Sequence, residues 1–155
     1  MTWGSLLQVA SAVLVAFFTV AIAVVAVLQW RVYNSQLRFA LYGKRYELYE
    51  ALQKLIATVI RDYDVDDRDL DAYYRVVVES GFLFGSETVR YLHEAHSKAT
   101  ELSRLQDQTR GWVKATIPQD ELVAKQSEIF EWFRAEINGR AYQRFLPYLD
   151  FRKIK

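Results

Sequence analysis

The sequence predicts an all-α fold, with one N-terminal transmembrane helix continuing into a cytoplasmic antiparallel bundle of about four helices. Three observations carry this expectation. Residues 1–30 contain no Asp, Glu, Lys or Arg, so every formal charge lies in residues 31–155. After Trp30 the apolar residues recur at helical spacing, with no run of strict alternation. Cysteine is absent, which excludes a disulfide framework, a thiolate zinc site and a cysteine nucleophile.

Residues 6–28 form an apolar run whose only polar members are Gln8, Ser11 and Thr19. As a helix it reaches roughly 35 Å, enough for a hydrocarbon core of about 30 Å with some tilt. Trp3 and Trp30 bracket the run, where an amphipathic indole suits the two interfaces. A cleaved signal peptide would need a basic start and a shorter apolar stretch, and neither is present. Arg31, Arg38, Lys44 and Arg45 all follow the run, and the first acid is Glu47. The positive-inside rule then places the N-terminus outside and the rest in the cytoplasm of an inner membrane. The expected organisation is an external residues 1–5, a span over 6–30 and a cytoplasmic domain over 31–155.

The first helix is expected to leave the bilayer and run to about Arg61. Its stripe is Leu37, Leu41, Leu48, Leu52, Leu55 and Val59, and Tyr42, Tyr46 and Tyr49 occupy an adjoining face. The second opens near Asp67, with Asp66 as N-cap and Val65 and Leu70 at staple spacing. It runs to Ser80, and glycines punctuate the connection Gly81-Phe82-Leu83-Phe84-Gly85. Ser86 is expected to cap a third helix with Val89, Leu92, Ala95, Ala99, Leu102 and Leu105 inside, ending by about Gly111. Thr116-Ile117-Pro118-Gln119 matches a capping box with proline in the first turn of a fourth. The stripe of that helix is Leu122, Ile129, Phe133, Ile137, Ala141 and Phe145, with a break expected at Asn138-Gly139 and the end at Pro147.

No catalytic, cofactor-binding or metal-binding residue is assigned. Asp62-Tyr63-Asp64-Val65-Asp66 has the opening spacing of a calcium loop. Asp67 then stands where the turn needs glycine, and Tyr73 where the metal needs a bidentate glutamate. His93 and His96 are three apart, one residue short of the zinc-protease spacing. Gly43-Lys44 lacks the rest of a phosphate loop, and no Gly-x-Ser-x-Gly occurs. A net charge of +1 gives no support for a nucleic-acid partner.

Two features point to partners instead. Ala12, Ala16, Thr19, Ala23 and Ala26 share one face of the span, as close helix–helix approach and self-association require. Residues 31–61 carry six basic and two acidic side chains, suited to an anionic inner leaflet of the lipid bilayer. Phe82, Phe84 and Gly85, with Tyr148 and Phe151, are expected to dock aromatics against the bundle and close its ends.

The stretches Tyr46-Glu47-Leu48-Tyr49-Glu50-Ala51-Leu52, Phe82-Leu83-Phe84-Gly85, Tyr91-Leu92 and Phe145-Leu146-Pro147-Tyr148-Leu149-Asp150-Phe151 occur in that order. Over roughly residues 40–151 the chain resembles a scattered group of bacterial proteins that pair an N-terminal span with a small cytoplasmic helical domain. The resemblance implies that fold and a bacterial cytoplasmic face. The group has no established activity, so no functional residue carries over.

The expectation for function is a single-pass interaction or scaffolding module with a cytoplasmic or membrane protein partner, self-association included. The alternative is a membrane effector or small channel-like subunit, with Gln8, Ser11 and Thr19 as its polar candidates along a pathway.

Overall fold

The structure is a computed structural model that describes the backbone of residues 3–150 and the side chains of residues 12–150. Trp3, Gln8, Ser11 and Phe151 carry expectations from the sequence, but their side chains lie outside the described residues. The described chain is helical and contains no strand. In order it comprises α1 (Trp3–Asp62), α2 (Asp67–Val78), a 3-10 turn (Glu79–Phe82), α3 (Ser86–Thr109), α4 (Gln119–Ala135), a π-helical turn (Glu136–Arg140) and α5 (Ala141–Leu149). It divides into two compact units, Met1–Ala40 and Leu41–Lys155.

In the first unit, every side chain from residue 12 to 40 is exposed apart from a half-buried Asn34. One helix is long and apolar enough to cross a membrane, and none of its apolar window is buried. No charge interrupts that window because none exists before Arg31.

The second unit has its own core. α1 contributes Leu48, Leu52, Leu55, Ile56 and Val59, all at most 3% exposed. Leu70, Tyr73 and Val77 come from α2, and Leu92, Ala95, Ala99, Leu102 and Leu105 from α3. Leu122, Ile129 and Phe133 on α4 and Phe145 on α5 complete it. α3 packs on both α2 and α4. Alanines at 95 and 99 leave room for close helix contact on one side of α3, while the leucines fill volume elsewhere.

Local chemistry fixes most of the boundaries. The Asp66 carboxylate accepts from the Arg68 N–H at 3.3 Å and caps α2, and Val65 and Leu70 are both buried as the staple requires. Gly111, at φ +77°, turns the chain out of α3 in a conformation that costs other residues strain.

Four expectations need correction. Gly85, not Ser86, holds the cap position of α3, so the helix begins one residue earlier than a serine cap would place it. Thr116 caps nothing: its N–H and its hydroxyl both donate to Gln108 Oε1 at 3.1 Å, tying the loop to α3, and Pro118 takes the cap position of α4. The expected fourth helix is two helices. Gly139, at φ +114°, sits in a π-helical turn whose extra residue rotates everything after it. The buried face passes from Ile129 and Phe133 to Glu136, 3% exposed, at helical steps of seven and three, which leaves Ile137 outside at 44%, and the extra residue then brings Ala141 and Phe145 back inside. Pro147 does not end α5, which continues to Leu149. A proline in the last turn removes one backbone donor without having much helix left to break.

Candidate functional site

The small-residue face of the span, Ala12, Ala16, Thr19, Ala23 and Ala26, is exposed throughout. The Thr19 hydroxyl donates to the Val15 carbonyl at 2.7 Å, within the same helix. Thr19 therefore already has an acceptor for its proton within its own helix.

The four cations of the flank separate into two kinds. Trp30, Arg31, Asn34, Ser35 and Arg38 line one cleft on the first unit. Lys44 and Arg45 belong to the second unit. Lys44 Nζ pairs with Glu47 at 3.0 Å, and that hydrogen bond and its charge raise the lysine pKa. Arg45 Nε donates to the Leu83 carbonyl at 3.2 Å, and its guanidinium lies 5.6 Å from the Tyr148 ring centre. Arg45 thus fastens the connection after α2 to α1, a contact across 38 residues that charge counting along the chain does not reveal.

The aromatic residues singled out from the same connection do not act together. Phe84 is buried, its ring 5.2 Å from Phe145 and 5.0 Å from Tyr148, both edge to face. The Gly85 N–H donates to the Tyr148 hydroxyl at 3.3 Å. A Cβ on Gly85 would stand 3.1 Å from that same oxygen, a tight approach that would require the Tyr148 hydroxyl to shift by a few tenths of an ångström. Phe82 departs from expectation. It is 93% exposed, the highest value among the described large apolar side chains. The Ser80 carbonyl accepts from both Leu83 and Phe84 N–H at 3.0 Å. A turn that tight cannot aim three successive side chains at one core, and Phe82 is the one left out.

Three residues of the acidic stretch, Asp62, Asp64 and Asp66, make structural contacts. Asp62 pairs with Arg61 at 2.7 Å, and this hydrogen bond lowers the Asp62 pKa. Asp64 accepts from Arg110 at 2.7 Å and from the Val65 N–H at 2.9 Å, and Asp66 caps α2. Arg110 also lies 5.0 Å from the Trp112 ring centre. Among the described residues no three His, Asp or Glu side chains converge as a metal would need. His96 packs against Tyr73 and Tyr74, 6.3 and 5.0 Å between ring centres. Burial lowers its pKa, with His93 adding to the effect and Asp71 opposing it.

One polar feature escaped the sequence. Tyr91 donates to Glu136 Oε2 at 2.7 Å in the core, with the Arg144 guanidinium 4.6 Å from the Tyr91 ring centre. Burial, followed by the Glu136 hydrogen bond, raises the Tyr91 pKa. The pair gives a buried carboxylate one strong donor. Glu136 stands seven residues after Ile129 and three after Phe133, so helical spacing alone puts it on the buried face, and only its charge hides it from a stripe drawn through apolar residues.

No protein-family model matches the chain, and no curated protein or solved structure matches it either.

Proposed function

We propose that the chain is a single-pass membrane protein with its N-terminus outside and residues 31–155 in the cytoplasm. In this reading residues 41–155 form an antiparallel helical bundle that serves as an interaction or scaffolding module. The observation that carries it is the contrast at Arg31: an exposed, uncharged, apolar helix before it, and basic residues only after it. Water would penalise that helix by about 25 cal/mol for each Å² of apolar surface left uncovered, and a bilayer removes the penalty. The bacterial inner membrane is the setting suggested by the FLFG and PYLDF stretches. The Thr19 hydrogen bond to Val15 favours a module over a conducting pathway, since it occupies the only described polar side chain among residues 12–28.

Carbonate extraction tests the anchor and paired reporter fusions test its direction. The chain should remain in the membrane pellet, with a C-terminal alkaline phosphatase inactive and a C-terminal fluorescent protein bright. An active C-terminal phosphatase would reverse the orientation and remove the cytoplasmic partner with it.

A further inference from the structure

The line of small residues on the span does not stop where the apolar run stops. It continues as Trp30, Tyr33, Leu37 and Ala40, still alternating steps of four and three. Small residues are ordinary in an apolar helix; the continuation is not. At 1.5 Å per residue Tyr33 and Leu37 lie about 8 and 14 Å beyond Leu28, past the reach of lipid tails. Yet Tyr33 is 75% exposed and Leu37 59%.

The charges avoid this line. Its flanking positions beyond the span are Gln29, Asn34, Gln36 and Leu41, none of them charged. Arg31 and Arg38 fall on the opposite side of the helix, with Ser35 between them. The next two positions on the line would be Lys44 and Glu47, and these pair with each other within the chain at 3.0 Å. The uncharged line therefore ends at Ala40, the last residue of the first compact unit.

We infer that residues 30–40 form a parallel, in-register coiled-coil seam with a second copy of this chain. In a symmetric parallel pair each core position of the seam meets its own image. Any charge there would face a like charge, and an uncharged line bounded by off-seam arginines avoids that cost. Tyr33, Leu37 and Ala40 are the seam positions, Trp30 stands at its membrane end, and the alanine face prolongs it into the span. The inference deepens the membrane reading and rests on it for the parallel direction.

Because the natural chain has no cysteine, single-cysteine variants report one position each. Tyr33→Cys, Leu37→Cys and Ala40→Cys, with Val32→Cys and Ser35→Cys on the other side, are oxidised in native membranes. The first three should form disulfide-linked dimers at a yield roughly fivefold or more above the other two, as heptad geometry demands. A flat pattern, or a maximum at Val32 or Ser35, would overturn the seam. Leu37→Glu should abolish crosslinking at Ala40→Cys and Ser35→Glu should not; equal yields in those two would also overturn it. Carbonate extraction of the same samples reads the anchor separately. A pelleted chain with a flat pattern refutes the seam and keeps the anchor. A chain that extracts yet crosslinks at 37 and 40 refutes the anchor and keeps the seam.

Discussion

Leu37 and Leu48 are the same residue type on the same helix, and one is 59% exposed while the other is 1% exposed. The difference lies in what each meets. From Leu48 onward α1 forms part of the core that α2, α3, α4 and α5 also fill. From residue 12 to 40 no described side chain is fully buried. Helical spacing places Leu37 and Leu48 on one stripe, because it reports which residues share a face and nothing about what covers that face. In the second unit the cover is protein. In the first it is assigned here to lipid and, past Leu28, to a second copy.

Truncations should separate the two regions most strongly. Phe133→Ala and Phe145→Ala remove fully buried rings and should each cost about 3–5 kcal/mol in the unfolding of the second unit. Phe17→Ala and Phe18→Ala, both more than 60% exposed, should leave that transition in place. Denaturant melts of the full chain in nanodiscs, followed at a helical circular dichroism band, would measure both. A large loss from the Phe17 or Phe18 change would mean that the regions do not stand apart.

Next in size is a comparison inside one short connection. Phe84→Ala should destabilise by about 3 kcal/mol, whereas Phe82→Ala should stay within about 0.5 kcal/mol of the parent. Equal effects would contradict the burial of one and the exposure of the other.

Tyr91→Phe should cost about 1–3 kcal/mol, because it leaves the buried Glu136 carboxylate without its donor. If the loss comes from that carboxylate, adding Glu136→Gln to Tyr91→Phe should recover part of it in a double-mutant cycle. Strictly additive effects would remove the pair from the account.

The smallest effect is one of pH. Burial lowers the His96 pKa in the folded state, so the unfolded chain binds its proton first as pH falls. Stability should therefore decline as pH drops through the unfolded value near 6.5 and level off below the folded value. His96→Gln should flatten that part of the profile. An unchanged slope would assign it to other groups.

The residues readable from sequence were those whose fate is set by neighbours along the chain. The alternation of Leu48, Leu52, Leu55 and Val59, the Asp66 cap and the break at Gly139 depend on a few adjacent residues. The misread ones depend on distant partners or on the geometry of a tight turn. Thr116 fits a capping box, but Gln108 on α3 competes for its N–H and hydroxyl. Arg45 reads as a headgroup cation until the Leu83 carbonyl comes beside it. Glu136 lies on the buried face at helical steps from Ile129 and Phe133, but a stripe drawn through apolar residues passes over it to Ile137, because its donor Tyr91 is 45 residues away. Phe82 was assigned inward because exposing it is costly, and the geometry of its turn decides otherwise.

The central claim is that lipid covers residues 12–28 and water reaches the chain beyond them. Single cysteines placed through Val13, Phe17, Ala21, Val25 and Ser35 can be challenged with a charged, membrane-impermeant maleimide in inside-out membrane vesicles. Protection at Val13, Phe17, Ala21 and Val25 with rapid labelling at Ser35 is the predicted result; labelling at all five positions at the same rate would contradict it.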